Sequence, residues 1–161
     1  MPAHDAPEDV AQQIADLIVR VHEIHDGIIR QTGGLEGLRD GAMLHAAVAR
    51  PFATFAGMDL YEDDFEKAAA LFHSLIKSHP FMDGTKRTAF ASTLYFLEVC
   101  GHPRPAVLAE GEVIRFCLAV AEENMRLAAS EPITPTSIPE VAAWFRRLYP
   151  LNSPGQLKAD P

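Results

Sequence analysis

The 161-residue chain has few cysteines, no basic excess and no long apolar run. Its two cysteines, Cys100 and Cys117, form no CxxC or other metal-ligand spacing. Both sit in apolar surroundings, so two reduced core thiols are expected. No apolar segment approaches the length of a membrane-spanning helix. The formal net charge is −8, which argues against a general nucleic-acid binder, because such proteins neutralise phosphates with clustered Lys and Arg. The N-terminus, Met1 to Asp9, is acidic and lacks the basic-then-apolar order of a secretory signal. The expected location is therefore cytoplasmic. A hydrophobic share of 48% and a charged share of 22% suit one domain with a core of its own.

The prolines mark out where helices fit. None falls within 8–50, 52–79, 81–102 or 106–131, and proline is costly inside a helix. Apolar residues at helical spacing predict a first helix over about 8–31, with a stripe of Ile14, Leu17, Ile18, Val21, Ile24 and Ile28 and a capping pair at Asp5 and Glu8. Gly33-Gly34 ends it. Further helices are predicted over about 40–50, 62–78, 85–100, 110–129 and 139–148. The last begins at a Ser137–Glu140 capping box. Between Thr88 and Cys100 the only formal charge is Glu98, so the fourth helix reads as the buried centre. Residues 51–61 are a loop of high apolar content with room for a small hairpin. The expectation is an all-α bundle of about six helices around one buried central helix. It occupies residues 1–150 and is followed by a flexible tail, 151–161.

Residues 79–87, His-Pro-Phe-Met-Asp-Gly-Thr-Lys-Arg, join the third and fourth helices and carry the chemistry. His79 lies four residues after Leu75 and three after Ile76, which predicts a place on their inward face. A neutral imidazole there can accept a proton from a hydroxyl. The start of the fourth helix presents free backbone N–H groups near Gly84, an anion site by geometry. Lys86 and Arg87 add positive charge, and Arg grips phosphate oxygens bidentately. Asp83 beside a phosphate is suited to hold Mg²⁺. The bland alternatives are a helix N-cap for Asp83, a helix-end partner for His79 and solvated first-turn cations for Lys86 and Arg87.

This segment resembles the Fic/Doc signature HxFx(D/E)GN(G/K)R through His79, Phe81, Asp83, Gly84, Lys86 and Arg87. Gly33-Gly34, Gly37 and Arg39-Asp40 are similar to the Gly-Gly…Gly-x-Arg-Asp stretch of death-on-curing (Doc-like) toxins. So are Leu60-Tyr61 and the run Phe65 to Ala69. The resemblance covers about residues 20–105. It implies an ATP- and Mg²⁺-dependent transferase with His79 as base, Asp83 on Mg²⁺, and Gly84, Thr85, Lys86 and Arg87 around the phosphates. Adenylylating members carry glycine at the position of Lys86 and Doc-like members carry lysine. Phosphate transfer to a hydroxyl of a translation factor such as elongation factor Tu is thus implied ahead of AMP transfer.

The family asparagine is Thr85 here, which leaves a catalytically weak binding module as a third reading. In relatives, the loop before the third helix is a flap that aligns the target chain by strand addition. Phe55, Met58 and Tyr61 fall on it; their side chains and Phe52 are expected to close the core, leaving the flap role to the backbone. Thr32 to Gly37 matches the text of a self-inhibitory helix, but Gly33-Gly34 disfavours a helix there. A separate small antitoxin with a disordered tail is therefore implied. His22 and His25 do not form the HExxH zinc pattern. His25 with Asp26 reads as a structural polar pair, and His73 with Lys77 as a solvent-facing pair.

Overall fold

The stripe at the N-terminus forms α1 (Pro7–Thr32) in the structure, a computed structural model that describes residues 7–149. It buries Leu17, Val21, His25 and Ile29 at successive four-residue steps. Ile14 and Ile18 pack at its edge. The remaining helices are α2 (Gly41–Ala49), α3 (Asp64–Ser78), α4 (Thr85–Val99), α5 (Glu110–Ala128) and α6 (Ile138–Leu148). The fold class is all-α, as the spacing predicts. Asp5 of the predicted capping pair, the boundary at residue 150 and the tail 151–161 lie outside the described residues.

Helix starts follow the expected chemistry. Asp40 caps α2 through the Met43 N–H, and Asp63 caps α3 through the Glu66 N–H. Ser137 and Glu140 close a reciprocal capping box on α6, which satisfies N–H groups that the helix leaves unpaired.

α4 is buried over much of its surface, but α3 shares the centre. α3 packs against α2, α4, α5, α6 and the 3-10 turn Arg50–Phe52. Its Ala68-Ala69-Ala70 run is wholly buried, because small side chains let neighbours approach from several sides. The periodicity of α4 shows that it is buried but not which helix crosses it. An aromatic cluster joins α3 to α6: Phe72 lies 5.1 Å from Phe145, and Phe116 stacks on Trp144 at 3.9 Å. The thiols lie in or beside this core, and burial pushes Cys100 up to about 12 and Cys117 up to about 11.

The apolar loop does form a hairpin, β1 (Thr54–Phe55) and β2 (Met58–Asp59), with Thr54 opposite Asp59 and Phe55 opposite Met58. Its turn, Ala56-Gly57, has positive φ at both residues, the twist that two-residue hairpins favour. No helix among the described residues is long and apolar enough to cross a membrane.

Candidate active site

The signature segment is held between α1, the loop 33–40 and the ends of α3 and α4. The Arg39 N–H donates to Pro80 O at 2.7 Å, and the Met82 N–H donates to Gly37 O at 3.0 Å. These bonds make a short antiparallel bridge, Leu38 to Phe81. The Arg39 guanidinium donates to Ser78 O at 2.9 Å and His79 O at 2.8 Å. A cation on the last carbonyls of a helix is electrostatically favourable. Phe81 is buried beneath His25, whose ring lies parallel to it at 4.0 Å.

His79 departs from the expected inward face. It is the C-cap of α3, in the left-handed region at φ 49° and ψ 58°. The cap swings the chain out of the helix, so the helical period ends at Ser78 and the His79 side chain opens onto a cleft. Desolvation by the cleft walls, with Lys86 and Arg39 nearby, holds its imidazole below the ordinary histidine value. The ring is therefore neutral at physiological pH and able to act as a base.

Asp83 has its carboxylate set by two backbone donors. The Gly84 N–H reaches Oδ1 at 2.7 Å, and the Leu35 N–H reaches Oδ2 at 3.2 Å. These two bonds hold its pKa below the usual carboxylate value, aided by Arg87 and Lys86 and opposed by partial burial. Gly34 lies directly against this carboxylate, and a Cβ there would sit 2.5 Å from Asp83 Oδ2.

Gly84, at φ 73°, is the N-cap of α4 and has no side-chain cap. The first ladder bond of α4 is Thr88 N–H to Gly84 O, so the N–H groups of residues 85–87 precede the ladder. Arg87 donates to Thr32 Oγ1 and lies 3.7 Å from Asp83 Oδ1. Thr85 is buried, and its hydroxyl is turned into the packing without a partner. That residue gives the cleft its backbone rather than a donor side chain.

His79, Met82, Asp83, Gly84, Thr85, Lys86 and Arg87 line one cleft of about 150 Å³. The expected site residues of the motif thus converge. An apolar groove of about 500 Å³ adjoins it between α1, α4 and α5, sharing Lys86 and Arg87. Phe55 and Met58 are exposed on the hairpin, at 76% and 68%, which corrects the expectation that they close the core. Tyr61 lies beyond the hairpin and is buried, its hydroxyl accepting from Arg50 at 2.9 Å. Phe52 packs on Phe96.

Sequence reasoning missed several polar contacts. His25 reaches the Asp83 carbonyl at 2.9 Å. His102 is buried and 2.9 Å from Asp64. Lys77 is not solvated: it donates to Glu123 at 2.6 Å and to Val120 O. His73 is also drawn in, with its Nδ1 buried. One signal was available for His25, which stands four residues after Val21 on the buried line of α1.

Among the described residues, a bundle of six helices brings a histidine cap, an acidic turn and a cationic helix mouth to one cleft. The sequence profile of the Fic/DOC family matches residues 12–97, more than half of the chain, and the protein belongs to that family. Over 69 residues it is 49% identical to the protein named Toxin Doc of Mycolicibacterium smegmatis, covering 43% of this chain and 53% of that one. Over 74 residues it is 36% identical to Protein kinase doc of Escherichia phage P1, covering 46% of this chain and 58% of that one. The chain spans little more than half the length of these relatives.

Proposed function

We propose that the chain is a Doc-like toxin that transfers the terminal phosphate of ATP to a hydroxyl of a target protein. The observation that carries this reading is the single cleft shared by His79, Asp83 and the first turn of α4. In the proposed step the target hydroxyl oxygen bonds to the terminal phosphorus while the bond to the bridging oxygen breaks, releasing ADP. His79 takes the hydroxyl proton. Arg87, Lys86 and the free N–H groups of the α4 mouth hold the phosphate oxygens.

Asp83 fits Mg²⁺. Among the described residues no cluster of three or more His, Cys, Asp or Glu forms an all-protein metal cage. Mg²⁺ on nucleotides instead takes one or two carboxylates, with phosphates and waters completing its shell. The Asp83 carboxylate is ionised and partly open to solvent. When bound, the ion neutralises phosphate charge.

The names of the two relatives support the toxin and kinase reading. A translation factor such as elongation factor Tu is the proposed target, and a small antitoxin with a disordered tail the proposed neutralising partner. The exposed hairpin 54–59 is the proposed surface for aligning the target. Transfer of AMP is the alternative reaction, and Lys86 is the residue that weighs against it. A weak binding module is favoured by one observation, the inward-turned Thr85 hydroxyl.

Incubation with γ-labelled and α-labelled ATP, Mg²⁺ and a bacterial lysate separates the three. Label from γ alone, lost in His79→Ala, is the expected result. Label retained from α indicates AMP transfer, and no label with either nucleotide indicates the binding module.

A further inference from the structure

We infer that His25 is a positioning residue for the Asp83 carboxylate and the mouth of α4. Its functional meaning rests on the transferase reading above. His25 sits on α1, 58 residues before Asp83, and is 1% exposed. Nε2 lies 2.9 Å from Asp83 O. A carbonyl oxygen only accepts, so Nε2 carries the proton. The ring cannot tilt easily, because Phe81 stacks on one face at 4.0 Å and 8°. Nδ1 faces Asp26 Oδ1 at 3.5 Å.

The consequence follows from peptide geometry. In a trans peptide the C=O and the N–H point in opposite directions, and no cis bond occurs among the described residues. Holding Asp83 O toward α1 therefore aims the Gly84 N–H away from it. That N–H is the donor to Asp83 Oδ1 at 2.7 Å. One imidazole thus fixes the plane of the peptide that orients the carboxylate and opens α4. A packing role alone would be filled as well by leucine or phenylalanine. A buried imidazole is retained at no loss only when its hydrogen bond is made.

Two variants separate the bond from the ring. His25→Phe keeps an aromatic surface and loses the donor, and His25→Gln keeps an amide donor near the place of Nε2. Amide hydrogen exchange of Gly84 is followed by NMR on the full chain without nucleotide or metal, with the core amide of Val120 as reference. His25→Phe is expected to speed Gly84 exchange about tenfold relative to Val120 and to lower transfer kcat/KM roughly 10- to 100-fold. Gln is expected to restore most of both.

Unchanged Gly84 protection in His25→Phe, or a Gln variant as impaired as Phe, overturns the inference. Long-range ¹H–¹⁵N spectra of the unaltered protein give a test independent of folding in the variants. A proton on Nε2 supports the inference, and the opposite tautomer overturns it. Absence of transfer by the unaltered protein, with the Gly84 result as expected, would sink the transferase reading and leave the positioning role standing.

Discussion

Replacing Gly34 with alanine tests the site at its tightest point. A Cβ there would lie 2.5 Å from Asp83 Oδ2, 3.1 Å from Asp83 Cγ and 3.1 Å from Ile29 Cδ1. Real Cβ contacts essentially never fall under 3.0 Å, so the carboxylate must retreat by roughly half an ångström, the tolerance that catalytic placement allows. The Leu35 N–H bond to Oδ2, already 3.2 Å, is then lost. Gly34 also has φ +122°, a conformation that costs a residue with a side chain about 1–3 kcal/mol.

Gly33→Ala is the control, because Gly33 also has positive φ, +78°, but its Cβ would meet nothing within 4 Å. Both variants should lose thermal stability, at about 2–4 °C per kcal/mol for a chain of this size. Only Gly34→Ala should lose transfer kcat/KM by roughly 10- to 100-fold and need more Mg²⁺ for half-maximal rate. Phosphate transfer assayed across a Mg²⁺ series, beside melting curves, decides the matter. Equal transfer by the two variants would refute the placement of Asp83 as a metal-holding group.

The base can be tested by pH. On the proposed reading neutral His79 is the active form, so the acid limb of kcat/KM should fall below the ordinary histidine value; Lys86→Met removes the charge that depresses it most and should move that limb to higher pH, while Lys86→Arg should not. Phe55→Ala with Met58→Ala should change stability by less than about 0.5 kcal/mol and raise KM for the target protein without changing KM for ATP. Burial works to raise the Glu123 pKa, but bonds from Lys77 and Thr136 outweigh it and hold the carboxyl below its usual value. Its stabilisation is therefore present above the unfolded carboxylate pKa and fades as pH falls through the folded one. Glu123→Gln should cost roughly 3 kcal/mol at neutral pH, seen as a lower Tm, with a flatter loss of stability in acid.

The helices were legible because their signals are local. Proline-free stretches, apolar spacing and caps such as Ser137–Glu140 act within a turn or two. The motif from His79 to Arg87 was legible for the same reason, since nine consecutive residues carry acid, base and cations. What escaped was built across the chain. The inward-face assignment for His79 assumed helical period up to the cap, and a single left-handed residue ended that period. The bonds from His25 to Asp83 O and from Arg39 to Ser78 O and His79 O end on carbonyls. Every residue has a carbonyl, so nothing in the sequence marks which one is chosen. The same holds for Lys77, whose partner Glu123 lies 46 residues away on α5. Phe55 and Met58 looked like core by composition, but a two-residue strand pair carries them out to solvent.

The electrostatics of the α4 mouth also depend on what is brought in from elsewhere. A helix N-terminus carries partial positive charge, so cations in its first turn are disfavoured, yet Lys86 and Arg87 both stand there. Asp83 relieves the conflict only in part. Its two oxygens already accept from Gly84 and Leu35, and Arg87 remains 3.7 Å from Oδ1. The chain spends its nearest carboxylate on backbone amides and leaves the positive mouth without full compensation. The left-handed His79 adds conformational cost at the same place. Local rules broken together around one cleft, within a core that otherwise obeys them, mark a candidate functional site. On the proposed reading, the free energy withheld from folding would become available when phosphate enters the cleft that His79 lines.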